Sequence, residues 1–145
     1  MALPDLASPN DPGAARSIEP DAGRAAARVS VIVPAFNAQE NIDPLLEELT
    51  RAFRDERCSF EILIADGGSV DGTRGKVQAW SKEHPIRLVA CSGAHGVAGN
   101  VVEAAREARG EVVVVLDADR SHPPDRAPEL ARLILEDAAG EQLYP

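Results

Sequence analysis

The stretch Glu111-Val-Val-Val-Val-Leu-Asp-Ala-Asp119 combines an uninterrupted apolar run with two carboxylates at its end. The run lacks the alternation of polar and apolar residues that a half-buried strand shows, and it is typical of a strand covered on both faces. We therefore expect residues 111–116 to form a strand at the centre of a parallel α/β sheet. Asp117 and Asp119 would then emerge at the carboxyl end of that strand.

Three further β-branched runs precede this strand, and segments with helical spacing separate them. Apolar residues three and four positions apart between Ile42 and Phe53 predict a helix, with Asp43-Pro44 as its cap and first residue. The order βαβαβαβα predicts an α/β fold with a Rossmann-like parallel sheet. The remaining strands are Val29–Val33, which ends before Pro34, Phe60–Ala65 and Ile86–Cys91. Val97, Val101, Val102, Ala105 and Ala108 mark the third helix, and the fourth carries Leu130, Leu133 and Ile134.

Length and charge limit the classes of function. The chain has 145 residues and a formal net charge of −9, which fits one domain and disfavours nucleic acid as a partner. No run approaches the roughly 20 consecutive apolar residues that cross a bilayer, and the start lacks the features of a signal peptide. We therefore expect a cytoplasmic protein without a transmembrane segment. Cys58 and Cys91 have no CxxC spacing, which predicts buried thiols.

The composition changes near residue 28. Residues 1–28 are rich in proline and alanine and almost devoid of large apolar side chains. Such a segment cannot bury enough surface to offset the entropy of ordering. We therefore expect a disordered N-terminal tail over residues 1–28 and one folded domain over residues 29–140.

The polar motifs follow the strands. In an open parallel sheet the segments after the strands emerge at one edge, where ligands bind. Residues 34–37 follow the first strand, residues 66–71 the second, and residues 117–119 the fourth. We expect these three segments to line one cleft.

Asp117 and Asp119 form a DxD motif directly after the most apolar strand. Two carboxylates at such a position repel each other, and a hard cation such as Mg²⁺ or Mn²⁺ would relieve the repulsion. Because these ions complete their coordination shell with water and substrate phosphates, the motif implies a diphosphate substrate. The alternative is that both carboxylates face water and cap the following helix. His122 is the one histidine placed beside this motif.

The second segment allows two interpretations. Asp66 at a strand end can accept hydrogen bonds from a ribose or a base, or it can form an Asx turn. Asp71 and Thr73 fit structural caps at the start of the next helix. Phe36 can stack on a base or pack against the sheet.

Together these motifs resemble a known family. Their order and spacing are similar to those of the family 2 glycosyltransferases of the GT-A fold, whose nucleotide-binding half is N-terminal. Within that family the third motif is most similar to the dolichol-phosphate mannosyltransferase-like enzymes that use polyprenyl phosphates. The resemblance covers about residues 29–137 and rests on Val31-Ile-Val-Pro-Ala-Phe-Asn37, Asp66-Gly-Gly-Ser-Val-Asp-Gly-Thr73 and Asp117-Ala-Asp-Arg-Ser-His-Pro-Pro124.

The resemblance implies site residues, a Mg²⁺ or Mn²⁺ cofactor, and a nucleotide-diphosphate sugar of the GDP-mannose or UDP-glucose type. Asp117 and Asp119 would be the catalytic pair. The implied neighbours are Pro34, Phe36 and Asn37 for the nucleoside, Asp66 for the base, Asp117 for the ribose and metal, and Asp119 and Ser121 for the metal.

The chain also departs from the family pattern. Ala38 stands where an acidic residue often follows the asparagine, Phe36 replaces a frequent tyrosine, and Gly67 replaces the second aspartate of the common Asp-Asp-Gly-Ser form. Family members continue past the helix after the DxD motif with strands that bind the acceptor. On this comparison the chain is expected to be truncated after that helix and to lack the acceptor half.

These observations predict metal-dependent, inverting transfer of a hexose from a nucleotide-diphosphate sugar to an acceptor. A polyprenyl phosphate is favoured, because an ionised phosphate needs no general base. We expect the enzyme in the cytoplasm or at the cytoplasmic face of the membrane. The alternatives are a non-catalytic remnant that binds nucleotide sugars and, from a third class, an interaction module that acts through its acidic surface.

Overall fold

Four parallel strands form the sheet at the centre of the fold. The computed structural model describes residues 27–138. The strands are β1 (Val29–Ala35), β2 (Phe60–Asp66), β3 (Ile86–Ala90) and β4 (Val112–Val115), and they lie in the order β3-β2-β1-β4. Every neighbouring pair is parallel, with Val29 opposite Phe60 and opposite Val112. The predicted α/β class and the parallel sheet are confirmed.

Helices cover the two faces of the sheet unequally. The helices are α1 (Gln39–Asp55), α2 (Thr73–Ser81), α3 (Gly96–Ala105) and α4 (Ala127–Ala138), with a 3₁₀ turn at Pro124–Arg126 before α4. Residues of α1, α2 and α4 belong to one hydrophobic cluster, on one face of the sheet. Residues of α3 belong to a second, smaller cluster on the opposite face. The larger core therefore lies beneath α1.

Helix α1 buries the face that the sequence predicted. Ile42, Leu49 and Phe53 are fully buried against the sheet, and each such side chain stabilises the fold by about 1.5–3 kcal/mol. The predicted start at Asp43 was wrong, because the helix begins at Gln39 and Pro44 lies inside it. The Asp43 carboxylate accepts hydrogen bonds from side chains of α2 and caps nothing.

Strand β1 continues through Pro34 to Ala35, past the predicted end at Val33. The reason lies in the pairing of its neighbour. The Ile32 carbonyl accepts the amide of Leu116, and pairing with β4 ends there. The nitrogen of Pro34 faces the same side of β1, where β4 has already ended. The N–H that proline lacks would therefore have had no partner in the sheet.

Strand β4 lies at the edge of the described sheet, so the prediction of a central strand was wrong for this part of the chain. Val112 and Val114 are buried, whereas Val113 and Val115 are 42% and 46% exposed. Helix α3 contacts β1 and β2 and leaves the second face of β4 uncovered. A run of valines has no polar residue to reveal which face is solvated.

Helix α3 meets the sheet through only part of its apolar pattern: Val101 packs against the smaller core cluster. Asn100 and Ala104 are its buried residues, while Val97 and Val102 are more than half exposed. The apolar spacing of this helix therefore predicted its existence but not its orientation.

A polar network ties the amino end of the sheet to the connection between α3 and β4. The Ser30 hydroxyl donates to Glu61 Oε1 at 2.6 Å, and the Arg109 amide donates to the same oxygen at 2.7 Å. The Gly110 amide donates to Ser30 Oγ at 2.8 Å, and Arg87 pairs with Glu61 Oε2 at 3.1 Å. These contacts hold β4, and with it the DxD motif, in register with β1.

Most of the predicted tail and residues 139–140 of the predicted domain lie outside the described residues. Of the predicted tail, only residues 27–28 are described, and the Arg28 carbonyl accepts the amides of Glu111 and Val112. Within residues 27–138, none of the helices combines the length and the hydropathy needed to cross a bilayer.

Candidate functional site

The three predicted segments follow the carboxyl ends of β1, β2 and β4. These ends meet at one edge because the strands are parallel. The first loop is residues 36–38, the second loop is residues 67–72, and the third loop is residues 116–123.

Side-chain and backbone hydrogen bonds join the first loop to the second. The Asn37 amide donates to Ser69 Oγ at 2.8 Å, and Asn37 Oδ1 accepts the Val70 amide at 2.9 Å. The Ala38 amide donates to Thr73 Oγ1 at 2.9 Å. Asn37 has a φ of 48°, a conformation that asparagine tolerates better than most residues. Its side chain therefore holds the loops together, whatever else it contacts.

Phe36 projects from the same loop into solvent, with 63% of its surface exposed. Of the two interpretations, packing against the sheet is wrong. A large exposed aromatic ring beside a candidate ligand site is suited to stacking on a flat ligand. The stacking role stays a prediction.

Asp71 acts as a structural residue, as its spacing predicted. Its carboxylate accepts the Thr73 hydroxyl, the Thr73 amide at 2.9 Å and the Gln39 amide at 3.3 Å. The hydrogen bond from the Thr73 hydroxyl is the main cause that holds the pKa of the Asp71 carboxyl below its usual value. Gln39 Oε1 in turn accepts the Gly72 amide at 2.7 Å. The start of α1 is thereby joined to the start of α2.

Asp66 is fully buried and forms the Asx turn that was one of its two interpretations. It accepts the amides of Gly68 and Ser69 at 3.2 Å and Arg74 Nε at 2.6 Å. Burial acts to raise the pKa of the Asp66 carboxyl, but hydrogen bonds from Ser69, Arg74 and Gly68 outweigh it and hold the pKa below its usual value. Sequence reasoning missed Arg74, although a basic residue at the start of the following helix was the available signal.

The third loop brings together the three residues that the metal prediction named. The Ser121 amide donates to Asp119 Oδ1 at 2.9 Å, and the Ser121 hydroxyl donates to Asp117 Oδ2 at 3.4 Å. The hydrogen bonds from Ser121 hold the pKa of the Asp119 carboxyl below its usual value. His122 Nδ1 lies 3.6 Å from Asp117 Oδ2. Asp119 therefore presents an ionised carboxylate to solvent at neutral pH.

The donor set of the third loop fits a hydrated Mg²⁺ or Mn²⁺ ion. In the described part of the chain there is no group of three or more His, Cys, Asp or Glu side chains arranged to hold a metal. Two exposed carboxylates and a hydroxyl are instead what an ion needs when water and substrate phosphates complete its shell. Asp117, Asp119 and Ser121 could hold such an ion.

Arg120 links the third loop to α1 and was missed by sequence reasoning. It has a φ of 63°, which costs an ordinary residue roughly 1–2 kcal/mol, and its guanidinium forms an ion pair with Glu48. Backbone strain of this kind concentrates at functional sites. The third loop is thus anchored to α1, whereas the first and second loops are hydrogen-bonded directly to each other.

The match to a known protein family covers nearly all of the described residues. The family model for glycosyl transferase family 2 matches residues 30–142. The chain belongs to glycosyl transferase family 2. Its predicted family resemblance is therefore confirmed.

Similar curated proteins include dolichol-phosphate mannosyltransferases. That of Pyrococcus furiosus is 35% identical over 107 residues, which is 74% of this chain and 30% of the relative. That of Mycosarcoma maydis is 39% identical over 106 residues, which is 70% of this chain and 36% of the relative. The family 2 chain thus spans about a third of the length of these relatives.

Solved structures confirm the GT-A fold. Staphylococcus aureus TarS 1–349 matches with a TM-score of 0.58 and 27% identity, over 75% of this chain and 32% of that protein. The mannosyltransferase PcManGT from Pyrobaculum calidifontis, solved with GDP-Man and Mn²⁺, matches with a TM-score of 0.53 and 32% identity, over 84% of this chain and 37% of that protein. The described sheet and helices correspond to part of these larger proteins.

Proposed function

We propose that this family 2 chain serves metal-dependent transfer of a hexose from a nucleotide-diphosphate sugar to a polyprenyl phosphate. The observation that carries the proposal is the third loop, where Asp117, Asp119 and Ser121 converge at the carboxyl edge of a parallel sheet. Relatives named dolichol-phosphate mannosyltransferase support the acceptor class. The Mn²⁺ and GDP-Man bound in the PcManGT structure support the cofactor and the donor class.

Asp119 is the proposed metal ligand, with Asp117 beside the ribose and metal and Ser121 in the metal shell. When bound, Mg²⁺ or Mn²⁺ supplies positive charge that stabilises the departing nucleoside diphosphate. Asp117, Asp119 and Ser121 would hold this charge in place. Ser121 orients both carboxylates, and the pair of Arg120 with Glu48 anchors their loop to α1.

The nucleoside would lie over the first and second loops, bordered by Pro34, Phe36 and Asn37. The exposed Phe36 ring is the proposed stacking surface. Asp66 is proposed to contact the base, and its buried bonds to Ser69 and Arg74 would keep it ionised. A GDP-mannose or UDP-glucose type of donor fits this site.

The acceptor oxygen would attack the anomeric carbon on the face opposite the diphosphate. A bond from that oxygen to carbon forms as the bond from carbon to diphosphate oxygen breaks, so the configuration inverts. A phosphate acceptor is already ionised near neutral pH and needs no general base. Placement at the cytoplasmic face of the membrane would give access to such an acceptor.

A second candidate function is binding of nucleotide sugars without transfer. The roles proposed above for residues of the three loops all belong to the donor side of the reaction. Transfer also requires the acceptor to be held at near-attack distance, which contributes a large part of catalysis. A chain with only the donor side would bind the nucleotide sugar without transferring the hexose.

Calorimetric titration tests the metal site. We expect GDP or UDP to bind only with Mn²⁺ or Mg²⁺, and Asp119→Asn to weaken that binding at least about tenfold, because a metal ligand is lost. Asp55→Asn, an exposed carboxylate at the end of α1, is the matched control and should bind like the wild type. Equal affinity in excess chelator, or normal binding by Asp119→Asn, would refute the metal site.

A transfer assay separates the two functions. Radiolabelled sugar is supplied as GDP-mannose or UDP-glucose together with a short polyprenyl phosphate. Labelled lipid product supports the transferase, and metal-dependent binding without product supports the binding protein.

A further inference from the structure

Gly67 lies at the carboxyl end of β2 with a neighbouring side chain filling the space beside it. Its amide donates to the Ala35 carbonyl at 2.9 Å, which joins the ends of β1 and β2. A Cβ atom at residue 67 would lie 2.9 Å from Nδ2 of Asn100 on α3. The carboxamide of Asn100 therefore occupies the volume that a side chain at this position would take.

The burial of Asn100 has no evident packing reason. The residue is only 7% exposed, and its Oδ1 has no hydrogen-bond partner among the described residues. Leaving a buried polar atom unpaired typically costs about 1–3 kcal/mol. Helix α3 thus buries the polar Asn100 while the apolar Val97 and Val102 on the same helix remain exposed. An unpaired buried group in a native fold calls for a ligand or another explanation.

The position of Asn100 provides that explanation. It lies against the end of β2, where the second loop begins and where the first two loops are joined. Asp66, the residue predicted to contact the base, already binds Gly68, Ser69 and Arg74 through its carboxylate. The unpaired Oδ1 of Asn100 is therefore better placed than the hydrogen-bonded Asp66 carboxylate to accept a new partner.

We infer that Asn100 contacts the nucleobase of the donor, with its carboxamide standing where a residue-67 side chain would otherwise project. The inference rests on the proposed binding of a nucleotide sugar. Turning the carboxamide toward the base breaks no hydrogen bond of Oδ1, because that oxygen makes none within the described residues.

The chemistry of a carboxamide specifies the class of base. It offers one acceptor and one donor side by side, which match a ring N–H next to a ring carbonyl. Uracil and guanine both present that edge. A carboxylate differs, because it offers two acceptors, which match the adjacent N–H and NH₂ of guanine but not the N–H of uracil flanked by two carbonyl oxygens.

Substitutions at residue 100 test the contact and the chemistry. Asn100→Ala should weaken binding of UDP and GDP by roughly tenfold in the presence of Mn²⁺, the size expected for loss of one or two hydrogen bonds. Asn100→Asp should weaken UDP at least about tenfold more than GDP, because the carboxylate repels the uracil carbonyls. Both affinities are measured by calorimetry.

Substitutions at residue 67 test the coupling to Asn100. Gly67→Ala introduces the Cβ that crowds Nδ2, so it should weaken nucleotide binding about as much as Asn100→Ala does. Residues in contact are not expected to be additive. The double variant Gly67→Ala/Asn100→Ala should therefore bind no more weakly than Asn100→Ala alone. Additive losses would contradict a shared position.

Controls separate binding from folding. Gln78→Ala removes an exposed carboxamide from α2 and should leave both affinities unchanged. Asn100→Ala removes an unpaired buried oxygen, so its melting temperature should equal or exceed that of the wild type. If a folded Asn100→Ala variant binds UDP and GDP like the wild type, the inference about Asn100 is overturned and the proposed function is unaffected. Failure of the wild type to bind either nucleotide with Mn²⁺ would refute the proposed function as well.

Discussion

Gly110 provides the sharpest test of how the fold holds the DxD motif in register. A Cβ at this position would lie 2.6 Å from the Ser30 amide nitrogen and 2.8 Å from the carbonyl carbon of Val29. Both are backbone atoms of β1, at the centre of the sheet, so they cannot move aside as a flexible side chain would. Gly110→Ala must therefore shift the connection that leads into β4.

The magnitude follows from two contributions. Overpacking a tight site costs about 1–3 kcal/mol, and loss of the 2.8 Å hydrogen bond from the Gly110 amide to Ser30 Oγ costs about 0.5–1.5 kcal/mol. We expect the free energy of unfolding to fall by roughly 2–4 kcal/mol. For a domain of this size the melting temperature should fall by about 8–15 °C.

Urea and thermal unfolding of matched variants measure the effect. Gly75→Ala is the control, because Gly75 lies within α2 with nothing within 4 Å of the added Cβ, and alanine there should stabilise the helix by about 0.5–1 kcal/mol. Adding Ser30→Gly to Gly110→Ala should restore no stability, since the closest contact is to a backbone atom. A Gly110→Ala variant within about 0.5 kcal/mol of the wild type would refute the reasoning, as would rescue by Ser30→Gly.

Three further predictions concern two buried carboxylates and one partly buried thiol. The pKa of Asp66 is lowered in the folded state. Its contribution to stability is therefore present above its unfolded pKa of about 3.9 and is lost as the pH falls through the folded value. The difference in stability between the wild type and Asp66→Asn, measured in urea, should shrink from pH 6 to pH 3, and a constant difference would contradict this. Burial raises the pKa of Cys91 to about 11, so at pH 8 this thiol should react with a disulfide reagent at least about tenfold more slowly than a free thiol. Reaction of Cys91 at the rate of a free thiol would contradict this. Glu61→Ala should destabilise the fold by about 3 kcal/mol because it leaves Arg87 without its buried partner, and Glu61→Gln should cost clearly less; equal losses in chemical denaturation would mean that the hydrogen bonds of Glu61 contribute nothing.

Residues with strong local signals were predicted well. The apolar spacing from Ile42 to Phe53 identified the buried face of α1, because a helix repeats every 3.6 residues wherever it packs. The β-branched runs identified all four strands of the described sheet. The motif spacing also identified the family, which the match over residues 30–142 confirms. Helix starts were less certain, as Asp43 shows, since several polar residues near a helix start can serve as a cap.

The sequence predicted which residues the candidate site contains, but only part of how they contact one another. Hydrogen bonds from Ser121 join it to Asp117 and Asp119; the two aspartates were predicted from their spacing after the strand, and Ser121 from the family resemblance. The buried state of Asp66 and its bond to Arg74 required knowledge of where α2 packs. Asn100 gave no signal in the sequence, because only the packing of α3 against the end of β2 shows that this side chain is buried.

The sequence by itself therefore determined which segments form strands and helices, the parallel α/β class and the family, since these depend on local periodicity and on the order of motifs. Only the tertiary structure decided that β4 lies at an edge of the described sheet, that α3 packs through Asn100 and Ala104, and that Asp66 is enclosed. These features depend on which elements become neighbours. A valine run fits an edge strand or a central one, and an amphipathic helix can rotate by one position, until the packing of the neighbouring elements selects a single arrangement.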